Sequence, residues 1–146
     1  MTVENQVKLA REGREPAVIC RVPSGWVVLA NRQYLRGYCI LLPDPVVSSL
    51  NDLTLEKRSM YLADMVLVGD ALLEVTDAFR INYAIMGNSD PALHAHIVPR
   101  YKNEPEAIRT NLPWLYAPDF MESVPFDYQR DEQLIRQLSN VILQRL

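Results

Sequence analysis

The first third of the chain alternates short apolar runs with polar punctuation. Ala17–Val22 and Trp26–Ala30 are runs of β-forming residues separated by Pro23-Ser24-Gly25, whose residue types favour a turn. Asn31–Arg36 is a polar connection, and Gly37 opens a third run, Tyr38-Cys39-Ile40-Leu41-Leu42, stopped by Pro43 and Pro45. Three such runs with short connections predict an antiparallel meander. Residues 4–12 ahead of them predict a short helix ended by Gly13 and Pro16. Residues 55–76 hold no proline, and their only glycine is Gly69. Their apolar positions at 55, 62, 65, 66, 72 and 73 predict a long helix, with Thr54 as N-cap and Glu56 suited to the positive end of its dipole. Arg80–Ile85 and Leu93–Val98 follow as a fourth and a fifth strand, joined by the tight turn Gly87-Asn88-Ser89-Asp90-Pro91. Residues 101–130, rich in proline and aromatics, predict a long ordered loop. Residues 131–145, with Leu134, Leu138, Val141 and Ile142 at helical spacing, predict a terminal helix. The order β-β-β-α-β-β-coil-α points to an α+β fold, a five-stranded antiparallel sheet with the long helix packed on one face.

Composition narrows the picture modestly. With 146 residues, 49% apolar and 23% charged, the chain has the size and make-up of one globular domain, its core expected over 17–101 and its loop and terminal helix over 102–146. A net charge of −3 gives no general attraction to nucleic acid, so no nucleic-acid polymer is expected as a partner. No apolar run approaches the length that spans a bilayer, and the polar start, MTVENQVKLAREGREP, has no secretory h-region. No membrane association is expected, and the default location is the cytoplasm. Cys20 and Cys39 form neither a CxxC pair nor a dense framework. The wide apolar face of residues 60–73 allows either a deeply buried helix or one that also meets a second subunit.

The chain holds two histidines, His94 and His96. In a strand, residues two apart point the same way, so the pair shares one face while Leu93, Ala95 and Ile97 share the other, which suits packing under the helix. The histidine face is then left open. Pro99 is expected to end the strand, and Arg100 has the parity of the histidines. Two imidazoles and an arginine suit phosphate chemistry. Neutral histidine can attack phosphorus, a protonated partner can donate to a phosphate oxygen or leaving group, and arginine can match two phosphate oxygens. Spacing alone also admits a structural pair, or a metal site in which Cys20 and Cys39 complete the ligands.

The stretch Ile81-Asn82-Tyr83-Ala84-Ile85-Met86-Gly87-Asn88, followed by Pro91-Ala92-Leu93-His94-Ala95-His96-Ile97-Val98-Pro99-Arg100-Tyr101, resembles the histidine triad superfamily, in particular bacterial members akin to diadenosine polyphosphate hydrolases. Leu29-Ala30-Asn31-Arg32-Gln33-Tyr34-Leu35-Arg36-Gly37-Tyr38-Cys39-Ile40-Leu41-Leu42-Pro43 is similar to the family's strand–turn–strand region. The resemblance implies that His94 is the nucleophile toward an α-phosphate and that His96 contacts the phosphate or leaving group. It also implies that Asn31 binds ribose hydroxyls, and that Asn88 and Arg100 meet phosphate. Ala92 stands where the family has its first histidine, a position that also holds the nucleophile's ring through its backbone carbonyl. Tyr38 stands where the family often has histidine. Trp114 and Tyr116 either pack over a base or pin a loop. The implied activity is hydrolysis or transfer of a nucleotidyl group from a dinucleoside polyphosphate or nucleotide conjugate, without metal or cofactor, by a homodimer. The alternative is nucleotide binding with little catalysis, because the triad is incomplete.

Overall fold

The expected meander is present. In the computed structural model, which describes residues 1–146, β1 (Val18–Val22), β2 (Gly25–Leu29) and β3 (Cys39–Pro43) pair antiparallel in sequence order. β4 (Arg80–Ile85) and β5 (Ala95–Arg100) complete a five-stranded antiparallel sheet in the order β1-β2-β3-β5-β4, so β5 lies inside the sheet and β4 at its edge. Two details differ from the sequence expectation. β5 begins two residues late, because the N–H of Leu93 is drawn 2.8 Å to the carbonyl of Val47 in the loop after β3. Nor does Pro99 end the strand. Cys39↔Ile97 is the last pair with β3, so at Pro99 the strand has a neighbour on one side only, where proline is tolerated.

The helical side is built by α2 (Leu55–Val75) and α5 (Tyr128–Gln144). Thr54 Oγ1 caps α2 by accepting from the N–H of Lys57 at 3.2 Å. Tyr61, Met65, Val68 and Leu72 of α2 and Leu134, Leu138 and Ile142 of α5 recur every three to four residues and bury against Ile19, Leu41, Ala95 and Ile97 of the sheet. Each such side chain contributes about 1.5–3 kcal/mol by leaving water. Tyr61 also spends its hydroxyl on the Leu41 carbonyl at 2.7 Å, which sets the helix over the centre of the sheet. The inner face of α2 is thus buried, while Met60, Val66 and Leu73 stay exposed.

The other face of the sheet is covered in two patches. α1 (Val3–Arg11) inserts Val3 and Val7 against Val28, Leu42 and Ala92. The segment after β5 brings Tyr116 against Ala30, Tyr38 and Val98. That segment is not a plain loop: it contains α3 (Glu106–Arg109) and α4 (Pro118–Met121), and α5 begins three residues earlier than its apolar spacing suggests because Asp127 Oδ1 caps it at the N–H of Gln129. Between the two patches the histidine face remains accessible.

What holds the 101–116 segment down is a buried ion pair. Arg100 is 1% exposed and Glu104 7% exposed. Arg100 Nε and Nη2 each reach the Glu104 carboxylate at 3.1 Å, Nη1 donates to Asn82 Oδ1 at 2.8 Å and the Asn111 carbonyl at 2.6 Å, and Nη2 also reaches the Ile108 carbonyl at 2.8 Å. All the guanidinium donors are therefore used. The carboxylate also accepts from the Tyr101 N–H and the Tyr116 hydroxyl, each at 2.7 Å. Burial pushes Glu104 upward in pKa, but these donors outweigh it and hold the carboxyl below its ordinary value. An Arg100→Met substitution leaves that carboxylate buried without its cation, and urea unfolding should show a loss of about 3–5 kcal/mol. Adding Glu104→Leu should recover a large part of it, and a double variant no more stable than the single one would contradict this role.

Candidate functional site

The connection 30–38 is built before the site can exist. Gln33 is buried, and its side-chain amide bridges the turn. Nε2 donates to the carbonyls of Ala30 and Tyr38, and Oε1 accepts from the N–H of Gly37, all at 2.9 Å. Gly37 itself has φ of 97°, a conformation open to glycine, and a Cβ there would sit 2.9 Å from Leu72 Cδ2. This lock puts Asn31 at the sheet surface and turns Tyr38 inward.

His94 lies just ahead of β5 and His96 is its second residue. Their ring centroids are 5.0 Å apart at an interplanar angle of 70°. Nδ1 of His94 is 2.8 Å from the Ala92 carbonyl. A carbonyl can only accept, so Nδ1 carries a proton, and in the neutral ring the lone pair is on Nε2. His96 is held the other way round. Its Nδ1 is 2.6 Å from the hydroxyl of Tyr38, to which the Trp114 indole also donates. Burial pushes the Tyr38 pKa up to about 12, so the phenol keeps its proton and donates it to Nδ1, leaving the hydrogen of His96 on Nε2. Burial, and secondarily the neighbouring His94, push the His96 pKa down to about 4. The neutral His94 ring thus carries its lone pair on Nε2, beside an imidazole that offers an N–H without a full charge. A protonated His96, one of the roles considered from residue chemistry, is disfavoured by its burial.

Asn31 joins the histidines, and the other two expected substrate contacts do not. A concavity of about 190 Å³ is lined by Asn31, Gln6, Ile40, Asp90, His94 and His96, among others. Asp90 Oδ2 accepts from the N–H of Val3 at 2.9 Å, which ties the start of α1 to the rim of this concavity. Asn88 is exposed in the bend beyond Gly87 and lines neither this concavity nor the one on the other flank of His94. Arg100 points to the histidine face as parity predicts, yet it is enclosed with Glu104 and has no donor left for a ligand.

The metal alternative loses its ligands: Cys20 and Cys39 are buried in the core under α2, across the sheet from the histidines. No group of three or more His, Cys, Asp or Glu side chains converges anywhere in the chain. Tyr116 pins its loop through Glu104 and is buried, whereas Trp114 lies edge-on to His96 at 5.4 Å, held by the Tyr34 hydroxyl on the Pro113 carbonyl at 2.8 Å. The contact sequence reasoning missed is the Tyr38–His96 bond. A signal for it existed: Ile40 pairs with His96, and Tyr38, two residues earlier, shares the parity of that face.

The His96 state is directly measurable. Its folded pKa lies below that of the unfolded chain, so the unfolded state binds the extra proton and stability should rise with pH between about 4 and 6.5. Nitrogen NMR at pH 7 should show His94 protonated on Nδ1 and His96 on Nε2. Tyr38→Phe should release the His96 preference alone, and unchanged ring-nitrogen shifts in that variant would refute the assignment.

Comparison with known proteins agrees with the architecture. No protein-family model matches the chain, and no curated protein matches it in sequence. Solved structures do match. A histidine triad protein from Marinobacter aquaeolei superposes with a TM-score of 0.73 at 21% identity, over 94% of this chain and 93% of that one. A histidine triad protein from Bradyrhizobium japonicum gives 0.68 at 23% identity, over 86% and 89%. A hypothetical histidine triad nucleotide-binding protein from Sulfolobus tokodaii gives 0.72 at 13% identity, over 96% and 92%. The five-stranded sheet, its helices and these superpositions together give this chain the fold of the histidine triad proteins.

Proposed function

We propose that this chain is a nucleotide hydrolase or nucleotidyl transferase in which Nε2 of His94 attacks the α-phosphate of a dinucleoside polyphosphate or nucleotide conjugate. The observation that carries this reading is the 2.8 Å contact between His94 Nδ1 and the Ala92 carbonyl, which puts the lone pair of the neutral ring on Nε2, turned away from the backbone. This contact is made by the main chain, so it needs no particular side chain at position 92. The nucleotide-binding description of the Sulfolobus tokodaii relative, together with the shared fold, supports a nucleotide as the ligand.

In the first step the His94 lone pair forms a nitrogen–phosphorus bond while the bond from phosphorus to the leaving oxygen breaks, and the leaving group departs with that electron pair. Water, or an acceptor hydroxyl, then attacks the phosphorus. It loses a proton to solvent, and His94 is released. The Nε2–H of His96 hydrogen-bonds a phosphoryl oxygen as charge builds there. A neutral His96 favours leaving groups that depart as stable anions, such as phosphates. Asn31, in the same concavity, would meet the ribose hydroxyls.

A second reading, nucleotide binding without turnover, is favoured by one observation: the Ala92 side chain is 9% exposed and packs with Val3 and Val7, so the first position adds no polar group to the site. One experiment separates the two. The protein is incubated with α-phosphate-labelled nucleotides, quenched in alkali to preserve a phosphorus–nitrogen bond, and compared with His94→Ala. The proposal expects a labelled protein adduct absent from His94→Ala, and a fall in kcat/KM of about a thousandfold or more. Tight binding of AMP with no turnover favours the second reading. Equal turnover by His94→Ala ends the first.

A further inference from the structure

The face that carries the histidines continues onto the edge strand. Paired residues of neighbouring strands point to the same side, so Asn82 opposite Val98 and Arg80 opposite Arg100 extend that face along β4. At its far end lies a separate concavity of about 370 Å³, lined by Phe79, Arg80, Asn82, Arg100, Arg109 and Asn111, among others. Neither histidine lines it. No carboxylate does either, although the chain as a whole carries a net charge of −3.

The donors around this concavity are oriented and uncommitted. Nη1 of Arg100 sits between its two walls, donating to Asn82 Oδ1 at 2.8 Å and to the Asn111 carbonyl at 2.6 Å. With Oδ1 of Asn82 so held, its Nδ2 is turned the other way and has no partner. Asn111 Oδ1 accepts from the Leu112 N–H at 3.2 Å, which leaves its Nδ2 unbonded as well. Arg109 spends Nη1 on the Lys102 carbonyl at 2.9 Å and keeps Nε and Nη2. Arg80 is exposed and forms neither an ion pair nor a side-chain hydrogen bond. The Arg100 charge is already met by Glu104, so the unmatched charge is that of Arg80 and Arg109.

We propose that this concavity binds a phosphate monoester. Two guanidiniums and two carboxamides converging from opposite walls suit a tetrahedral dianion with several oxygens better than a two-oxygen carboxylate. The concavity is larger than a phosphoryl group alone, and the 40% exposed Phe79 gives the organic part an apolar surface. The site is separate from the His94 chemistry and does not depend on it.

The test is an NMR titration of the Asn82 and Asn111 side-chain amide signals at constant ionic strength. The probes are phenyl phosphate and inorganic phosphate, with chloride as the control. Both amides should shift and saturate with phenyl phosphate, which should bind a few-fold more tightly than inorganic phosphate. Arg80→Ala should weaken binding about tenfold, and its spectrum also checks that it folds. His94→Asn should leave the titration unchanged. Equal affinity for the two probes would assign the site to free phosphate and overturn the monoester. Amide signals that stay still, that move as far with chloride, or that respond equally in Arg80→Ala would overturn the site itself. Loss of the response in His94→Asn would place the binding at the histidines instead, and would also overturn it.

Discussion

The Arg100–Glu104 pair is the constraint on which the histidine face depends. β5 carries His96 and Arg100 four residues apart on one side of the sheet, and the two ends of that strand are used differently. Taking a guanidinium and a carboxylate out of water costs several kcal/mol per ion, and is tolerated only when every remaining donor and acceptor is met. Here Asn82, the carbonyls of Ile108 and Asn111, the Tyr101 N–H and the Tyr116 hydroxyl meet them. All of them but Asn82, which lies on β4, come from the segment that follows the strand, so satisfying the charges folds that segment back over the sheet. Its return brings Trp114 edge-on to His96 and sets the boundary between the covered and the accessible parts of the face.

The chemistry at the other end of the strand follows from two short contacts of opposite sense. A carbonyl accepting from His94 Nδ1 and a phenol donating to His96 Nδ1 leave the two Nε2 atoms unlike, one basic and one bearing hydrogen. Neither contact needs a charged residue, and burial keeps His96 neutral through the physiological range. A His96 kept neutral beside His94 avoids the mutual repulsion that two imidazolium ions would suffer at 5.0 Å between centroids. The two imidazoles are therefore differentiated by main-chain and phenol contacts alone.

Much of this was legible in the sequence where a periodicity carries the information. The parity of Leu93, Ala95 and Ile97 against His94 and His96 correctly separates core from face, and the apolar spacing of residues 55–76 marks α2 nearly to its ends. What was not legible depends on long-range partners. Whether Arg100 meets a ligand or Glu104 turns on how residues 101–116 return, and no local pattern encodes that. The survival of β5 through Pro99 depends on β3 beginning only at Cys39, a matter of register between strands more than fifty residues apart. The place of Tyr38 beside His96 is likewise a register fact, and Gln33 reads in sequence as one polar residue among several until its burial reveals three hydrogen bonds.

The central claim is that a nucleotide phosphate is handled at Nε2 of His94. A crystal of the protein soaked with AMP tests it most directly. The phosphate should lie within hydrogen-bonding distance of the Nε2 atoms of His94 and His96, with the ribose toward Asn31. A nucleotide seated away from both rings, for instance in the larger concavity lined by Tyr34, Tyr101 and Phe120, with the histidine face left unoccupied, would contradict it.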